Sequence, residues 1–285
     1  MAQRRSSALV DVARRIVVFF AVLGSLWGAW ELYRWLWTTT GWDWPFTVDY
    51  ITMPHIHDIV SRLWEPAAVE QPPLIRLLLD SAAFTAREAA VGFALGAVIG
   101  FAIAVVLHHS KLLQRGFLPY IVASQTVPIL AIAPMVVIWL GGKGLPVWVP
   151  VSVIAAYLTF FPVTINVLRG LDSAEPRALE LMRSYAASPW AVLWKVKVPA
   201  SLPYLFAALK VSATASVVGA IVGELPSSIQ DGLGGAILNF NQYYSLEPES
   251  LWATNLVAAA LGILFFLAVV GAERLVVRRA PENIA

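Results

Sequence analysis

The sequence predicts an all-α polytopic membrane protein with six transmembrane helices and both termini in the cytoplasm. Three observations carry this. The 285 residues are 59% hydrophobic and only 13% charged, with a mean hydropathy of +0.71, whereas soluble domains carry about 25% charged residues. Six apolar runs reach the ~20 residues that a helix needs to cross a bilayer: Ile16–Trp37, Ala89–Leu107, Phe117–Leu140, Leu145–Leu168, Leu202–Gly223 and Leu251–Gly271. Lysine and arginine favour alternate connections. Arg4, Arg5, Arg14, Arg15, Lys111, Arg115, Arg169, Arg177, Arg183, Lys195, Lys197, Arg274, Arg278 and Arg279 fall on the side of the termini, against Arg34, Arg62, Arg76, Arg87 and Lys143 on the other. That asymmetry places the first group in the cytoplasm.

Composition also excludes chemistry. Without cysteine there is no disulfide, no thiolate metal site and no cysteine nucleophile. A net charge of +2 gives no electrostatic footprint for nucleic acid.

Taken in order, Arg4–Arg15 reads as a basic interfacial lead. The first span lacks a small-residue cleavage site after it and is expected to be retained rather than removed as a signal peptide. It ends in a belt of Trp30, Trp35, Trp37, Trp42 and Trp44, as suits indoles at a headgroup boundary. In the external segment, Met53-Pro54 and Pro72-Pro73 flank a short amphipathic helix from His55 to Trp64. His55 and His57, two apart on a helix, are expected to diverge, and no third ligand is evident, so no metal site is predicted. Gly92, Gly96 and Gly100 line one face of the second span and allow close helix packing. Arg87 and Glu88 are read as interfacial, and His108 and His109 as markers of the cytoplasmic boundary.

The third span carries Pro119, Pro128 and Pro134 beside Gln125 and Thr126. Carbonyls freed by proline are tolerated at membrane depth only inside protein or along a cavity, so this kinked helix is read as lining a pathway. The fourth adds Pro146, Pro150 and Pro162 with Tyr157, Thr159, Thr164 and Asn166. Lys210, two turns into the fifth span, is expected to snorkel. Glu224 at the far end of that span either lines a vestibule or bonds an adjacent loop. Asp231-Gly232-Leu233-Gly234-Gly235 and Asn239 follow in a loop that could return toward the pathway mouth.

The connection between spans four and five is the most informative segment. Asp172 and Ser173 offer capping oxygens and Pro176 suits a first turn, predicting a helix from about Arg177 to Tyr185. Ala186-Ala187 stops it and Ser188-Pro189 starts another, which Pro199 and Pro203 are expected to end near Val198. Leu179, Met182 and Tyr185, then Trp190, Leu193 and Trp194, put apolar and aromatic side chains beside charge on a cytoplasmic hairpin. That pattern suits a docking surface or a helix lying on headgroups.

This hairpin resembles the EAA loop of ABC importer permeases, the membrane subunits of the binding-protein-dependent transport family. That loop typically reads Glu-Ala-Ala, then a glycine, and ends in Leu-Pro. Here stand Glu180-Leu181-Met182, Ala186 at the glycine position, and Val198-Pro199 followed by Leu202-Pro203. The two alanines have become Leu and Met, and the glycine Ala. The likeness extends over Leu79–Arg279. Within the family the chain is most similar to the nitrate/sulfonate/taurine-type permeases, including those for thiamine- or riboflavin-precursor and pyrimidine-like compounds, through the approach from Ser81 to Gly92, Gln125-Thr126-Val127-Pro128 and Pro134…Trp139-Leu140-Gly141.

The resemblance implies a permease subunit of an ATP-driven importer in the bacterial inner membrane, with an EAA-type coupling helix between helices 4 and 5. Residues 1–80 would hold the lead, first helix and external segment, residues 81–279 the importer transmembrane domain, and residues 280–285 a tail. It implies two ATPase subunits, a second permease copy or related permease, and an extracytoplasmic substrate-binding protein as partners. Arg177, Glu180, Leu181, Met182, Tyr185, Ala186, Ser188 and Trp190 would couple to an ATPase. Gln125, Thr126, Tyr157, Glu224 and Asn239 would line the substrate pathway. No catalytic residue or cofactor is expected here. The chain has no G-x-x-x-x-G-K-[ST] motif, and Gly141-Gly142-Lys143-Gly144 has the wrong spacing, so ATP and Mg would bind the partner ATPase. A membrane-embedded enzyme would need convergent acid/base or metal-binding side chains, and the spans hold almost no carboxylates and no histidine beyond His108 at an edge. An ion-coupled secondary transporter would be expected to carry internal repeats and intramembrane carboxylates.

Overall fold

The computed structural model describes residues 2–42, 44, 47–68, 70–227 and 229–277, with the backbone alone at 2–13, 15–16 and 227. The side chains of Arg4, Arg5 and Arg15, together with Asp43, Arg278, Arg279 and the tail 280–285, lie outside the described residues. All regular elements among the described residues are helical, and one isolated bridge joins Pro66 and Pro73. The helices are α1 (Ala2–Thr40), α2 (Ile56–Arg62), α3 (Leu74–His109), α4 (Lys111–Ser124), α5 (Ile129–Gly141), α6 (Trp148–Asp172), α7 (Pro176–Ser184), α8 (Pro189–Val192), α9 (Val198–Glu224), α10 (Leu233–Gln242) and α11 (Pro248–Val276). Four stretches, Leu74–His109, Trp148–Asp172, Pro189–Glu224 and Pro248–Val276, are long and apolar enough to cross a membrane; α4 with α5, bent by 96°, makes a fifth if the pair is one span.

Two compact units are present: Met1–Ile75 with Phe240–Ala253, and Arg76–Asn239 with Thr254–Ala285. In the first, α1 is tied to the segment after it by polar side chains. Trp30 Nε1 donates to the Pro54 carbonyl at 3.1 Å and Arg34 Nη1 to the Met53 carbonyl at 2.6 Å. The Trp30 ring meets Trp252 edge-on at 5.5 Å, so this indole anchors protein as well as suiting a headgroup belt. Arg62 is a second hub, donating to the Pro66 carbonyl, Ser250 Oγ and the Glu247 carboxylate.

In the second unit α6 is the central helix. The predicted glycine face of α3 packs against it. A Cβ on Gly92 would come within 2.4 Å of Ala155 Cβ, and one on Gly96 within 2.5 Å of the Ala156 carbonyl oxygen. Gly219 and Gly223 of α9 pack on α6 in the same way, against Ala155 and Val151. Small residues let backbones approach closely where lipid supplies no hydrophobic drive between helices. Ala104, Leu107, Val163, Val167, Leu171 and Ala208 fill the space where α3, α6 and α9 converge.

Two expectations about element ends are corrected. The second helix of the hairpin does not stop at the prolines. It passes through a π-turn, Leu193–Lys197, directly into α9, which contains Pro199 and Pro203. The wider π-turn shifts the hydrogen-bond register just before Pro199, which has no N–H to donate. Asp172 and Ser173 do not cap α7 either. α6 runs through Asp172, Ser173 Oγ donates back to the Gly170 carbonyl at 2.7 Å, and the N-cap of α7 is Glu175, without a side-chain cap.

Candidate functional site

The hairpin α7–α8 projects apolar side chains that the described residues leave largely exposed. Neither helix contains a buried residue. Leu181, Tyr185 and Trp190 are 56%, 76% and 64% exposed, and Trp194, in the π-turn that follows, is 52% exposed. Arg177, Glu180, Ala186 and Ser188 are also exposed, and Met182 is half-buried. An aromatic and aliphatic face left open beside charges has the composition of an interface core.

Its shape is set by backbone devices. Pro176 sits in the first turn of α7, and Ser188 Oγ accepts from the Ala191 N–H at 3.3 Å, the predicted cap of α8. Between them α7 closes in a Schellman turn. The Ala187 N–H donates to the Met182 carbonyl at 3.0 Å and the Ala186 N–H to the Arg183 carbonyl at 2.9 Å. That turn needs a left-handed residue, normally glycine, and Ala186 occupies it at φ +48°. The geometry expected of the family's glycine is thus kept with a Cβ in place.

The root of the hairpin is held by a polar relay that the sequence did not reveal. His108, at the end of α3, lies 3.1 Å from Asp172 Oδ1 through Nδ1 and 2.7 Å from Lys197 Nζ through Nε2. A lysine ammonium can only donate, so the partners assign the bare nitrogen to Nε2 and the proton to Nδ1. His108 therefore does more than mark a boundary: it joins the ends of α3 and α6 to the π-turn. A cleft of about 640 Å³ opens beside it, lined by Leu113, Pro189, Trp190 and Leu193 among others.

The break between α4 and α5 falls at Gln125–Pro128, where Pro128 is the N-cap of α5. A proline disfavours helical backbone in the residue before it, so the chain turns here. The Tyr157 hydroxyl of α6 donates to the Ser124 carbonyl, and Thr126 Oγ1 donates to the Ala123 carbonyl at 2.7 Å. Both satisfy acceptors freed at the end of α4. Gln125 and Thr126 are exposed, Tyr157 is half-buried and Asn239, on α10, is exposed. Tyr157 thus reaches the break that carries Gln125 and Thr126.

Glu224 sits elsewhere. It closes α9 and is fully buried. Its Oε1 accepts from Thr85 Oγ1 of α3 at 2.6 Å, and its Oε2 from the Gly234 N–H at 2.5 Å. Thr85 Oγ1 in turn accepts from the Leu233 N–H at 2.9 Å. Of the two roles open to Glu224 in the sequence, bonding an adjacent loop is the one this conformation displays. The glycines of that loop are fitted to the carboxyl: a Cβ on Gly232 would lie 2.3 Å from Glu224 Cδ, and one on Gly234 2.7 Å from Glu224 Cβ. Glu88, expected at an interface, is instead 1% exposed. It lies one turn from Thr85 on the same face of α3.

Two further expectations are corrected. Lys210 does not snorkel alone; its Nζ lies 3.0 and 3.1 Å from the Glu273 carboxylate of α11. His55 and His57 do not diverge. His55 is the N-cap residue of α2, with extended backbone at φ −67° and ψ 142°, so the helical spacing rule does not reach it. Their rings are 5.1 Å apart, and with Glu31 they offer three ligand atoms within 4.8 Å of one another. The Glu31 carboxylate already accepts from the Ile56 N–H at 3.3 Å and meets His55 Nδ1 at 2.7 Å, which accounts for it as a tie between α1 and the start of α2.

Comparison with known proteins places these features in one group. Residues 96–280 match the family described as binding-protein-dependent transport system inner membrane component. The chain is 31% identical over 179 residues to the formylaminopyrimidine transport permease protein ThiX of Halalkalibacterium halodurans, covering 63% of this chain and 69% of that one. It is 31% identical over 156 residues to the riboflavin transport system permease protein RibX of Chloroflexus aurantiacus, covering 55% and 53%. Against the taurine transport system permease protein TauC of Escherichia coli it is 28% identical over 156 residues, covering 54% and 52%. A solved amino acid ABC transporter aligns with a TM-score of 0.55 at 18% identity, over 72% of this chain and 95% of the other, and supports the fold.

Proposed function

This chain belongs to the binding-protein-dependent transport system inner membrane component family, and from that premise we propose how its parts divide the work of an ATP-driven importer. It is a permease subunit, a multi-pass membrane protein whose relatives are transport permeases and not enzymes. α1 completes a set of six spans, the termini face the cytoplasm, and the membrane is the bacterial inner membrane. Two copies of this chain, or this chain and a related permease, enclose the pathway. The substrate is a small organic solute, a sulfonate- or nitrate-like anion or a thiamine- or riboflavin-precursor or pyrimidine-like compound, delivered by an external binding protein.

The hairpin α7–α8 is the coupling lever. The observation that carries this is its open face of Leu181, Tyr185 and Trp190 on a helix ended by a Schellman turn. The face gives an ATPase something apolar to grip, and the turn gives it a fixed shape. Motion transmitted there requires contacts that differ between nucleotide states. The His108 relay and the π-turn place the lever's root directly on α3, α6 and α9, so displacement of the hairpin bears on the helices that pack the second unit. Gln125, Thr126, Tyr157 and Asn239 line the pathway, and Glu224 supports its outer end from behind.

The test separates docking from folding. Met182→Arg and Glu180→Arg place a bulky cation in the lever face and are expected to leave membrane insertion intact while abolishing recovery of the ATPase on pull-down. Normal recovery of the complex with both variants overturns the assignment. Alanine variants at Gln125 and Tyr157 are expected to assemble normally and transport poorly; uptake equal to wild type removes those residues from the pathway.

A further inference from the structure

Glu88 is a buried acid with no donor. Both of its carboxyl oxygens are enclosed and, among the described residues, neither has a hydrogen-bond partner. An ionised carboxylate left so would cost several kcal/mol. The acid that neighbours it is Glu224, itself fully buried. Two ionised carboxylates cannot hydrogen-bond to each other, because each only accepts. If one carries a proton, the contact becomes a hydrogen bond, Glu88 gains its missing partner, and one buried negative charge disappears.

Among the described residues, no cation forms an ion pair with Glu88. On α3, the exposed Arg87 turns its guanidinium over the Trp148 ring, 5.4 Å from the centroid. From α6 comes Ser152, whose hydroxyl donates to the Glu88 backbone carbonyl at 3.1 Å. The connection after α9 contributes Asp231, which is exposed, and backbone N–H groups. Thr85 Oγ1 and the Gly234 N–H both donate to Glu224. The arrangement is therefore asymmetric. Glu224 has donors that suit a charged carboxylate, and Glu88 has none.

We propose that Glu88 and Glu224 bind one proton between them, and that this proton is the fastener holding the α9–α10 connection onto α3. The glycine loop wraps the Glu224 carboxyl, Thr85 bonds both the carboxyl and the loop, and Glu88 closes the ring from α3. Stripping the proton leaves two negative charges in contact in a buried site, so the fastener weakens as pH rises.

The experiment uses the full chain in lipid nanodiscs. Infrared spectra at neutral pH are expected to show the carbonyl stretch of an un-ionised carboxyl that moves in D₂O, and the isosteric variants Glu88→Gln and Glu224→Gln are each expected to lose it. Thermal unfolding supplies a second readout. The wild-type midpoint is expected to fall from neutral to alkaline pH, and that fall is expected to be lost in Glu88→Gln, whose amide donates to Glu224 at any pH. Absence of the band in wild type, or its survival in both variants, overturns the proposal. So does a wild-type midpoint that rises with sodium or lithium at fixed ionic strength, which would assign the site to a metal cation.

Discussion

The two ends of α9 solve opposite problems. At one end the hairpin α7–α8 buries none of its own residues and is shaped almost wholly by caps, a proline and one left-handed turn. At the other, Glu224, Thr85, Glu88 and the glycine loop are buried and shaped by side chains reaching between elements. The 27 residues of α9 separate the two by ~40 Å of helix. If the hairpin is the lever proposed above, it must keep its local shape without a core, because its apolar face is then reserved for the partner. The far end has no such obligation and is fixed by close fit. Substitutions should accordingly act locally and mildly at the hairpin and severely at the knot of Thr85, Glu88, Glu224 and the loop from Gly232 to Gly235.

The largest effect that would test this contrast is Gly234→Ala. Its Cβ would sit 2.6 Å from the Ile221 carbonyl oxygen, which is backbone and cannot swing away. Overpacking that must move backbone costs about 3 kcal/mol or more. The expected outcome is a clearly lower thermal midpoint for the chain in detergent. Gly116→Ala, on α4 where a Cβ meets nothing within 4 Å, is the control. It should hold the midpoint or raise it slightly, because alanine is the better helix former by about 1 kcal/mol. Equal losses at the two sites would erase the distinction between a fitted knot and an open surface.

The same contrast explains what could be read from the residues alone. The hairpin was legible because its determinants are neighbours in sequence: Pro176, Ser188-Pro189 and the stop at Ala186-Ala187 each act within one turn. The packing face Gly92, Gly96 and Gly100 was legible from its period, and the break at Pro128 from the backbone chemistry of proline. The knot was not. Thr85 and Glu224 are separated by 139 residues, His108 and Lys197 by 89, and Lys210 and Glu273 by 63. No local rule pairs such residues, so Glu88 looked interfacial and Lys210 looked free to snorkel. The glycines at 232 and 234 were visible as a turn, but nothing in their spacing says that a carboxyl occupies the space their missing side chains leave.

An intermediate effect is expected at Ala186. A non-glycine residue in the left-handed region is strained by about 1 kcal/mol, and Ala186 is held there at φ +48°. Ala186→Gly should relieve that strain and slow amide exchange at Ala186 and Ala187 about fivefold, since their N–H groups make the two bonds of the Schellman turn. Ala186→Val should speed it. Because the hairpin opens locally, global unfolding is expected to be nearly blind to both changes. A large shift of the global midpoint in either variant would mean that the hairpin is part of the core after all.

The smallest effect tests whether the start of α7 is governed by local chemistry as fully as its end. Glu175 is the N-cap residue, held extended at φ −60° and ψ 129° by the proline after it, and its side chain makes no cap. Its carbonyl already accepts the first helical bond, from the Leu179 N–H at 3.1 Å. Asp is a strong capping residue because its shorter chain brings a carboxylate oxygen back to the N–H groups two and three residues on. Glu175→Asp keeps the negative charge that favours a helix N-terminus, so any gain isolates the hydrogen bond. The expected gain is ~0.5 kcal/mol, read as about twofold slower exchange at the Ala178 amide, with the region around Thr85 and Leu233 unchanged. Slower exchange at both places would show that the hairpin and the knot unfold as one unit, and the independence of the two ends of α9 would fail.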